Sequence, residues 1–326
     1  MARCARELPV TEPSSPSAAQ QPLVAVLLCT YNGEQFLAEQ LDSIKAQTHT
    51  NWRLWVSDDG SSDGTLDILK RYQADWGADR LVITTGPRAG STQNFLALTA
   101  NPTIQAYGYA WADQDDVWEP EKLARSVAFL NGQSTAQPVL YGTRTLLTDA
   151  SNQPIGHSAL FTKPPSFANA LVQSIAGGNT MMFNHAARQL LAEAAGGASP
   201  IAHDWWAYQV ISGCGGLVHY DPWPSVRYRQ HGGNQIGSNL DPMARVLRLR
   251  LLLRGSFSGW VDGNLAALAG IRQHMSPHSV ATLDIFVRGR GQSAPGRLVA
   301  FYKARIHRQT LLGNVGLLVA AVLGKV

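Results

Sequence analysis

From Leu23 onward, short apolar runs alternate with segments in which apolar residues recur every three or four positions. The run from Leu23 to Cys29 is continuously apolar, which is typical of a strand buried on both faces of a parallel sheet. Further strands are predicted at Leu54 to Val56, at Leu81 to Thr84 and in the run that ends at Ala112. Helical stripes lie between them at Leu37, Leu41 and Ile44, at Leu66, Leu69, Tyr72 and Trp76, and at Phe95 and Leu98. This order predicts an α/β domain with a mostly parallel central sheet and helices on both faces.

The periodicity weakens after about residue 135, and this half is expected to be mixed. Strands are predicted at Val139 to Leu147 and at Met181 to Phe183, and an edge strand at Ser225 to Gln230. His203 to Ile211 has the pattern of a helix. We expect this half to shape the pocket for a second substrate.

Polar residues follow three of the predicted parallel strands. Thr30 begins the first polar cluster, Asp58 and Asp59 form the second, and residues 113–116 form the third. Ligands of open α/β sheets bind at the carboxyl ends of the strands. No G-x-G-x-x-G follows the first strand and no phosphate-binding P-loop is present, which counts against a dinucleotide oxidoreductase and a P-loop NTPase.

The third cluster carries the clearest chemistry. Residues 113–118, Asp-Gln-Asp-Asp-Val-Trp, place three carboxylates directly after an apolar run. Carboxylates that close repel one another, so a bound cation is expected, and hard oxygen ligands suit Mg²⁺ or Mn²⁺ together with a diphosphate. A solvated acidic turn before a helix is the alternative, and Glu119, Pro120 and Glu121 fit it as first-turn residues. The hexapeptide alone does not decide between them.

The two ends of the chain differ from its middle. Residues 1–22 are rich in Pro, Ser, Ala and Gln and are expected to be a disordered leader. They contain no continuous apolar stretch of a secretory signal, and three cysteines at unrelated spacings indicate neither disulfides nor a zinc site. These features predict a cytoplasmic protein.

Charge is distributed unevenly. Residues 1–239 hold 15 Lys/Arg against 20 Asp/Glu, whereas residues 240–326 hold 12 against 3. The basic tail intersperses arginines with leucines between Arg245 and Arg254 and ends in the apolar run from Val315 to Leu323. Basic and apolar residues together favour an anionic membrane surface over nucleic acid, and the final run is shorter than the ~20 residues that span a bilayer. Ordinary packing of these leucines in a helical core is the alternative, and peripheral attachment at the inner face of the plasma membrane is the hypothesis.

Six motifs, in order, resemble family 2 glycosyltransferases. They are residues 26–34, 40–47 and 56–65, the acid motif at 113–118, and the segments 203–206 (His-Asp-Trp-Trp) and 228–232 (Tyr-Arg-Gln-His-Gly). The acid motif and the last two segments resemble a bacterial rhamnosyltransferase-like subgroup. The resemblance implies a GT-A nucleotide-diphospho-sugar transferase fold over residues 23–239, followed by a helical extension over 240–326.

The resemblance also implies which residues bind the nucleotide. Tyr31 would stack on the base and Asp59 would accept a hydrogen bond from it. The same pocket would be completed by Thr30, Asn32, Glu34 and Asp113. A packed core tyrosine and a helix-start glutamate are the alternatives for Tyr31 and Glu34.

For the chemistry, the resemblance implies that Asp113 and Asp115 bind the metal, supported by Asp116. His231 would complete the coordination, or would be a solvent-facing loop residue. Asp204 would be the catalytic base, preceded in the chain by the close-approach segment 177–179 (Gly-Gly-Asn). Trp205 and Trp206 would raise the pKa of Asp204 and offer a platform for a sugar, unless Asp204 only caps a buried helix.

The resulting hypothesis is an inverting, metal-dependent transferase that uses a nucleotide-diphospho-sugar. By resemblance, dTDP-L-rhamnose is the expected donor, and a saccharide or lipid-linked acceptor of surface polysaccharide synthesis is the expected acceptor. The motif Gln-x-x-Arg-Trp of processive synthases is absent, so a single or limited transfer is expected. A nucleotidyltransferase of sugar activation and a catalytically silent nucleotide-sugar-binding subunit are the alternatives. The first would ordinarily place a cation in the loop after the first strand, and residues 30–33 (Thr-Tyr-Asn-Gly) contain none.

Overall fold

The computed structural model describes residues 21–196, 199–230 and 256–326. Within these ranges, one sheet contains the strands β1 (Val24–Thr30), β2 (Trp52–Asp58), β3 (Leu81–Thr85), β4 (Gly108–Ala112), β5 (Val117–Trp118), β6 (Val139–Thr148), β7 (Pro154–His157), β8 (Met182–Asn184) and β9 (Leu217–Arg229). The helices are α1 (Leu37–Lys45), α2 (Thr65–Trp76), α3 (Ser91–Ala100), α4 (Lys122–Asn131), α5 (Phe167–Ala170), α6 (His185–Ala194), α7 (His203–Gly213), α8 (Ser256–Ala269), α9 (Pro277–Arg290), α10 (Ala294–Lys303) and α11 (Leu311–Leu323). Short 3-10 turns lie at Gly178–Thr180 and Arg272–His274.

The sheet has a parallel half and a mixed half. Its order is β3-β2-β1-β4-β8-β6-β9-β5, with β7 paired to β6. The strands β1 to β4 are mutually parallel, β8 is antiparallel to both β4 and β6, and β9 is parallel to β6. The predicted α/β class and the mixed character of the second half are therefore confirmed.

Strand β1 explains why helices cover both faces of the sheet. All seven of its residues are buried. Because neighbouring side chains of a strand point to opposite faces, Val24, Val26 and Leu28 enter one apolar cluster, with residues of α1, α2 and α4. Ala25 and Leu27 enter the other cluster, with residues of α3, α6 and α7. A strand without a polar face can be stable only between two layers of helices.

The edge strand predicted at Ser225 to Gln230 is wrong in extent and in position. Strand β9 runs over Leu217–Arg229 and lies between β6 and β5, so the two-residue β5 occupies that edge. Pro222 and Pro224 lack the N–H that a sheet ladder needs, which hid the strand in the sequence. The structure accommodates them where its register with β6 shifts on either side of Arg144.

The C-terminal helices pack on the domain. Phe257, Phe286, Phe301 and Leu317 belong to the same core cluster as Trp111 of β4. The predicted helical extension is therefore present, and part of its apolar content is ordinary core. The run from Arg245 to Arg254 and nearly all of the predicted leader lie outside the described residues. In the described part of the chain, no helix is both long and apolar enough to cross a bilayer.

Candidate active site

The carboxyl ends of the parallel strands meet at one edge, as predicted. Thr30 pairs with Asp58, and Asp58 pairs with Thr85. On the other side of β1, Ala112 pairs with Leu28, which places Asp113 one residue beyond the ladder. The polar clusters that are far apart in the sequence therefore line one rim of the sheet.

Asp58 and Asp59 build the first part of this rim. The Asp58 carboxylate accepts hydrogen bonds from Thr30 Oγ1 at 2.9 Å and from the Gly60 and Ser61 N–H groups at 3.1 and 2.9 Å. The Asp59 carboxylate accepts from the N–H groups of Arg88 at 2.6 Å and Gly90 at 2.9 Å. Asp59 thereby holds the loop after β3 against the end of β2, a role that its position in the motif did not reveal.

The loop after β1 is locked to the loop after β2. The Asn32 side chain accepts from the Ser62 N–H at 2.8 Å, and Glu34 accepts from the Gly64 N–H at 2.9 Å. Thr30 is buried and directs its hydroxyl to Asp58. The Tyr31 ring, in contrast, is 59% exposed. Of the four expected pocket residues in the loop after β1, three therefore shape the loops and one exposes its ring.

Gln114, inside the acid motif, joins this loop to β4. Its Oε1 accepts from the Tyr31 N–H at 2.8 Å, and its Nε2 donates to the Tyr31 carbonyl at 3.0 Å. A Cβ on Gly33 would lie 2.3 Å from Gln114 Oε1, so the contact requires glycine there. No role for Gln114 was predicted from the sequence, although its place between two aspartates was a usable signal.

The acids beyond β4 act on one another. Burial raises the pKa of Asp113 to about 8, and the nearby charges of Asp115 and Asp204 add to the increase. The pKa of Asp116, which is fully buried, is also raised by burial and by Asp115 and Asp113. The ionised carboxylates of the cluster therefore repel one another, and a bound cation would relieve this repulsion.

Two buried basic residues from other elements lie next to the acid cluster. Lys122 is fully buried at the start of α4, and burial lowers its pKa to about 7, against the opposing effect of Asp116. Its Nζ donates to the Thr180 carbonyl at 3.2 Å. Arg229, at the end of β9, donates from Nε to the Asp115 carbonyl at 3.0 Å. The sequence pattern assigned no role to either residue, although Arg229 lies inside the segment 228–232, because a lysine or arginine near the end of an element usually lies at the surface.

Asp204 lies in the first turn of α7, as predicted. Burial raises its pKa to about 6, while hydrogen bonds from backbone N–H groups, including that of Gly178, oppose the increase. The Trp205 N–H donates to Asp204 Oδ1 at 2.6 Å. In the 3-10 turn that contains Gly178, the Asn179 Nδ2 donates to Asp116 Oδ2 at 2.5 Å. The turn at Gly178–Thr180 therefore contacts both Asp204 and the acid cluster.

His203 and Gly178 explain how α7 approaches so closely. The His203 ring stacks on Phe95 at 4.1 Å, and a Cβ on Gly178 would lie 2.3 Å from His203 Nε2. Glycine at position 178 therefore permits the contact between the turn and α7.

The expected sugar platform does not fit the positions of the two tryptophans. Trp206 is fully buried and Trp205 is 8% exposed. Trp205 donates from Nε1 to the Ala170 carbonyl at 2.6 Å and stacks with Phe257. Both rings are core residues that hold α7 in place.

The residues present fit a divalent cation that is shared with a ligand. In the described part of the chain, no group of three or more His, Cys, Asp or Glu side chains is placed to hold a metal by itself. Asp113 and Asp115 would supply two carboxylates, and their mutual repulsion is the feature that a cation offsets. Further ligands would come from a diphosphate, from water or from His231, which lies outside the described residues.

Comparison with known proteins shows which family the chain resembles over most of the domain. The family model described as "Glycosyl transferase family 2" matches residues 25–189. The dTDP-rhamnosyl transferase RfbG of Shigella flexneri is 26% identical over 237 residues, which cover 69% of this chain and 78% of that protein. The putative glycosyltransferase EpsE of Bacillus subtilis is 38% identical over 131 residues, but the match spans only 39% of this chain and 45% of that protein.

Among solved structures, S. aureus TarS 1-349 in complex with UDP-GlcNAc has a TM-score of 0.50 at 14% identity, covering 93% of this chain and 90% of that chain. At this identity the likeness concerns the fold alone, and it agrees with the predicted GT-A architecture.

Proposed function

The chain belongs to glycosyltransferase family 2, and from this premise we propose that it is an inverting, metal-dependent transferase that moves a sugar from a nucleotide diphosphate. L-Rhamnose from dTDP-L-rhamnose is the proposed donor sugar. The proposed acceptor is a saccharide or lipid-linked saccharide of surface polysaccharide synthesis.

The observation that carries the proposal is the mutual influence of Asp113, Asp115 and Asp204. The charges of Asp115 and Asp204 both raise the pKa of Asp113. These three carboxylates come from the end of β4 and from the first turn of α7, about ninety positions apart in the sequence. A proposed metal site and a proposed base therefore lie within electrostatic reach of each other, as transfer between a bound donor and an acceptor requires.

The nucleotide would lie against the loops after β1 and β2. The exposed ring of Tyr31 offers a face for base stacking. The Asp59 oxygens already accept two backbone N–H groups, and each carboxylate oxygen keeps a second lone pair for a thymine or uracil N3–H. Thr30, Asn32 and Glu34 would support this pocket through their loop contacts. The rhamnosyl donor is proposed because the Shigella relative is named a dTDP-rhamnosyl transferase.

Asp113 and Asp115 would hold Mg²⁺ or Mn²⁺ against the diphosphate, and His231 remains a proposed further ligand. When bound, the ion supplies Lewis-acid stabilisation of the charge on the departing nucleoside diphosphate. Asp116 would keep the loop after β4 rigid, because its side chain is fully buried and accepts a hydrogen bond from Asn179.

Asp204 would act as the base in a single displacement. Its carboxylate takes the proton of an acceptor hydroxyl while the acceptor oxygen bonds to C1 of the sugar. At the same time the bond from C1 to the diphosphate oxygen breaks, and the nucleoside diphosphate leaves with the electron pair. Attack from the opposite side inverts the configuration at C1. The pKa of about 6 leaves this carboxylate ionised at neutral pH.

Thermal denaturation of the full chain with Mn²⁺ tests the donor. We expect dTDP-L-rhamnose to raise Tm more than UDP-GlcNAc or GDP-mannose at equal concentration, because the ligand with the lowest Kd stabilises the folded chain most. A ligand at about 100 times its Kd stabilises it by about 2.7 kcal/mol. A larger shift with either competitor would refute the rhamnosyl donor. Stabilisation by a donor without any release of nucleoside diphosphate in the presence of saccharide acceptors would favour the silent binding subunit.

A further inference from the structure

Helix α11 (Leu311–Leu323) presents an unusual face to solvent. Seven apolar side chains are 44–83% exposed, namely Leu311, Leu312, Val315, Leu318, Val319, Val322 and Leu323. Successive members are one or three positions apart, which places all seven on one side of the helix. We call these seven residues the α11 stripe. The opposite side is anchored, because Leu317, Ala320 and Ala321 are buried in the core cluster.

An apolar groove opens beside the stripe. It has a volume of about 180 Å³ and lies between α10 and α11, where Leu298, Tyr302, Ile306 and Leu318 line it. Tyr302 is 86% exposed. The apolar surface therefore extends from α11 onto α10 and includes a concave part. A continuous apolar surface of this kind marks an interaction site.

Basic residues flank this surface at both ends. Residues 285–326 contain seven Lys/Arg and no Asp or Glu. Lys303 is the last residue of α10 and Arg305 lies in the turn before α11, and both are exposed. Lys325 follows α11. Lys163 adds a charge beside that turn, since its Nζ donates to the Arg308 carbonyl at 3.2 Å. An apolar face bordered by cations complements an anionic lipid surface, where acyl chains meet negative headgroups.

Helix α11 is too short to span a bilayer, and its anchored side favours an orientation parallel to the membrane surface. Thirteen residues of helix are about 20 Å long, whereas the hydrocarbon core of a bilayer is about 30 Å thick. The buried side of α11 also keeps the helix on the protein. Insertion of the exposed side into the headgroup region, parallel to the membrane, satisfies both constraints.

We propose that the α11 stripe, together with Lys303, Arg305 and Lys325, is a docking surface for a bilayer that contains anionic phospholipid. The docking surface is connected to the proposed active site. The Gln309 N–H donates to Gln173 Oε1, and Gln309 Nε2 donates to Asn169 Oδ1 in α5. The Ala170 carbonyl of α5 in turn accepts from Trp205, beside Asp204. A membrane on this face would therefore hold the side of the domain that carries the proposed base.

Vesicle flotation of the full chain tests the proposal without any donor or acceptor, so it can fail while the proposed transfer reaction holds. Vesicles of phosphatidylcholine with 30% phosphatidylglycerol would be compared with vesicles of phosphatidylcholine alone. We expect the native chain to partition at least about tenfold more strongly onto the anionic vesicles, with the difference reduced by salt. Equal partition onto both, or none onto either, would overturn the proposal.

Two sets of variants locate the surface. Leu311→Gln, Leu312→Gln and Val315→Gln combined should weaken partition at least about tenfold, because exposed apolar area is lost without touching the buried side of α11. Lys303→Gln with Arg305→Gln should weaken binding to anionic vesicles about tenfold through charge alone. The matched control, Ile155→Gln with Leu160→Gln, removes two exposed apolar residues elsewhere and should leave partition unchanged.

Sedimentation velocity separates this account from self-association. A native dimer that the triple variant dissociates, with no partition onto vesicles, would assign the α11 stripe to a second copy of the chain and overturn the proposal. Unchanged partition of both the triple and the double variant would overturn it as well. Circular dichroism melting curves would show that the variants fold.

Discussion

The two sides of the proposed active site handle negative charge in opposite ways. At the end of β2, Asp58 accepts backbone N–H groups of its own loop and Asp59 accepts those of the loop after β3, so each carboxylate is stabilised by the fold itself. Beyond β4, Asp113 is half-buried and Asp116 is fully buried near other carboxylates, and the pKa values of both are raised. On the first side the carboxylates therefore have hydrogen-bond donors within the protein. On the second side the repulsion between carboxylates is relieved only when a cation or a proton is bound. We infer that chemistry occurs on the second side and positioning on the first.

The largest effect is expected from Asp204→Asn. The amide keeps the shape but cannot take a proton, so kcat should fall by about 10²–10⁴-fold. The measurement is the initial rate of nucleoside diphosphate release with acceptor present. Donor binding and Tm should change little, which separates loss of the base from misfolding. A variant that turns over at the native rate would remove Asp204 from the mechanism.

Asp58→Asn and Asp113→Asn should have effects of opposite sign on the stability of the metal-free protein. In the first, an amide group faces backbone N–H donors, and the loss is expected to be about 1–3 kcal/mol. In the second, the repulsion within the acid cluster is relieved, so Tm in EDTA should rise by about 1–3 °C. Differential scanning calorimetry of the two variants in EDTA measures both. If both variants lose stability equally, the two sides do not differ as described.

The acid cluster also predicts a pH dependence. The pKa of Asp113 is about 8 in the folded chain and about 3.9 when unfolded, so the folded state binds more protons between these values. Ionising Asp113 therefore costs folding stability as pH rises through this window. Lys122, with a pKa of about 7, titrates in the opposite sense.

The readout is accordingly the difference in Tm between Asp113→Asn and the native chain, since Lys122 is present in both. This difference should grow in favour of the variant from pH 5 to pH 8. A difference that stays constant or shrinks would show that the repulsion is screened in solution.

The smallest effect is expected on the scaffold side. Tyr31→Ala removes the exposed ring that would stack on the base, and a stacking loss of about 1–1.5 kcal/mol weakens donor affinity about five- to tenfold. Isothermal titration with dTDP measures it, and kcat at saturating donor should remain near native. Tyr31→Phe, which keeps the ring, is the control. Unchanged affinity of the alanine variant would place the base elsewhere.

The sequence predicted the parts of this site that depend on local pattern. A continuous apolar run gave β1, and the position of Asp113 after another run gave the acid cluster at the strand ends. It did not predict Lys122 or the Asp116–Asn179 contact, because these bring together residues from α4, the loop after β4 and the turn before β8. It also misplaced β9, because Pro222 and Pro224 predict the end of a strand. The strand continues through them because its register with β6 shifts at that point. Long-range packing, which no local pattern encodes, decided each of these points.

The proposed sharing of one divalent ion between Asp113, Asp115 and the donor diphosphate is tested most directly by Mn²⁺ binding. Electron paramagnetic resonance of free Mn²⁺ gives its affinity for the full chain with and without saturating dTDP. We predict that dTDP tightens Mn²⁺ binding at least about tenfold, that Mn²⁺ tightens dTDP binding by the same factor, and that Asp115→Asn abolishes the coupling. Equal Mn²⁺ affinity with and without dTDP would contradict the account.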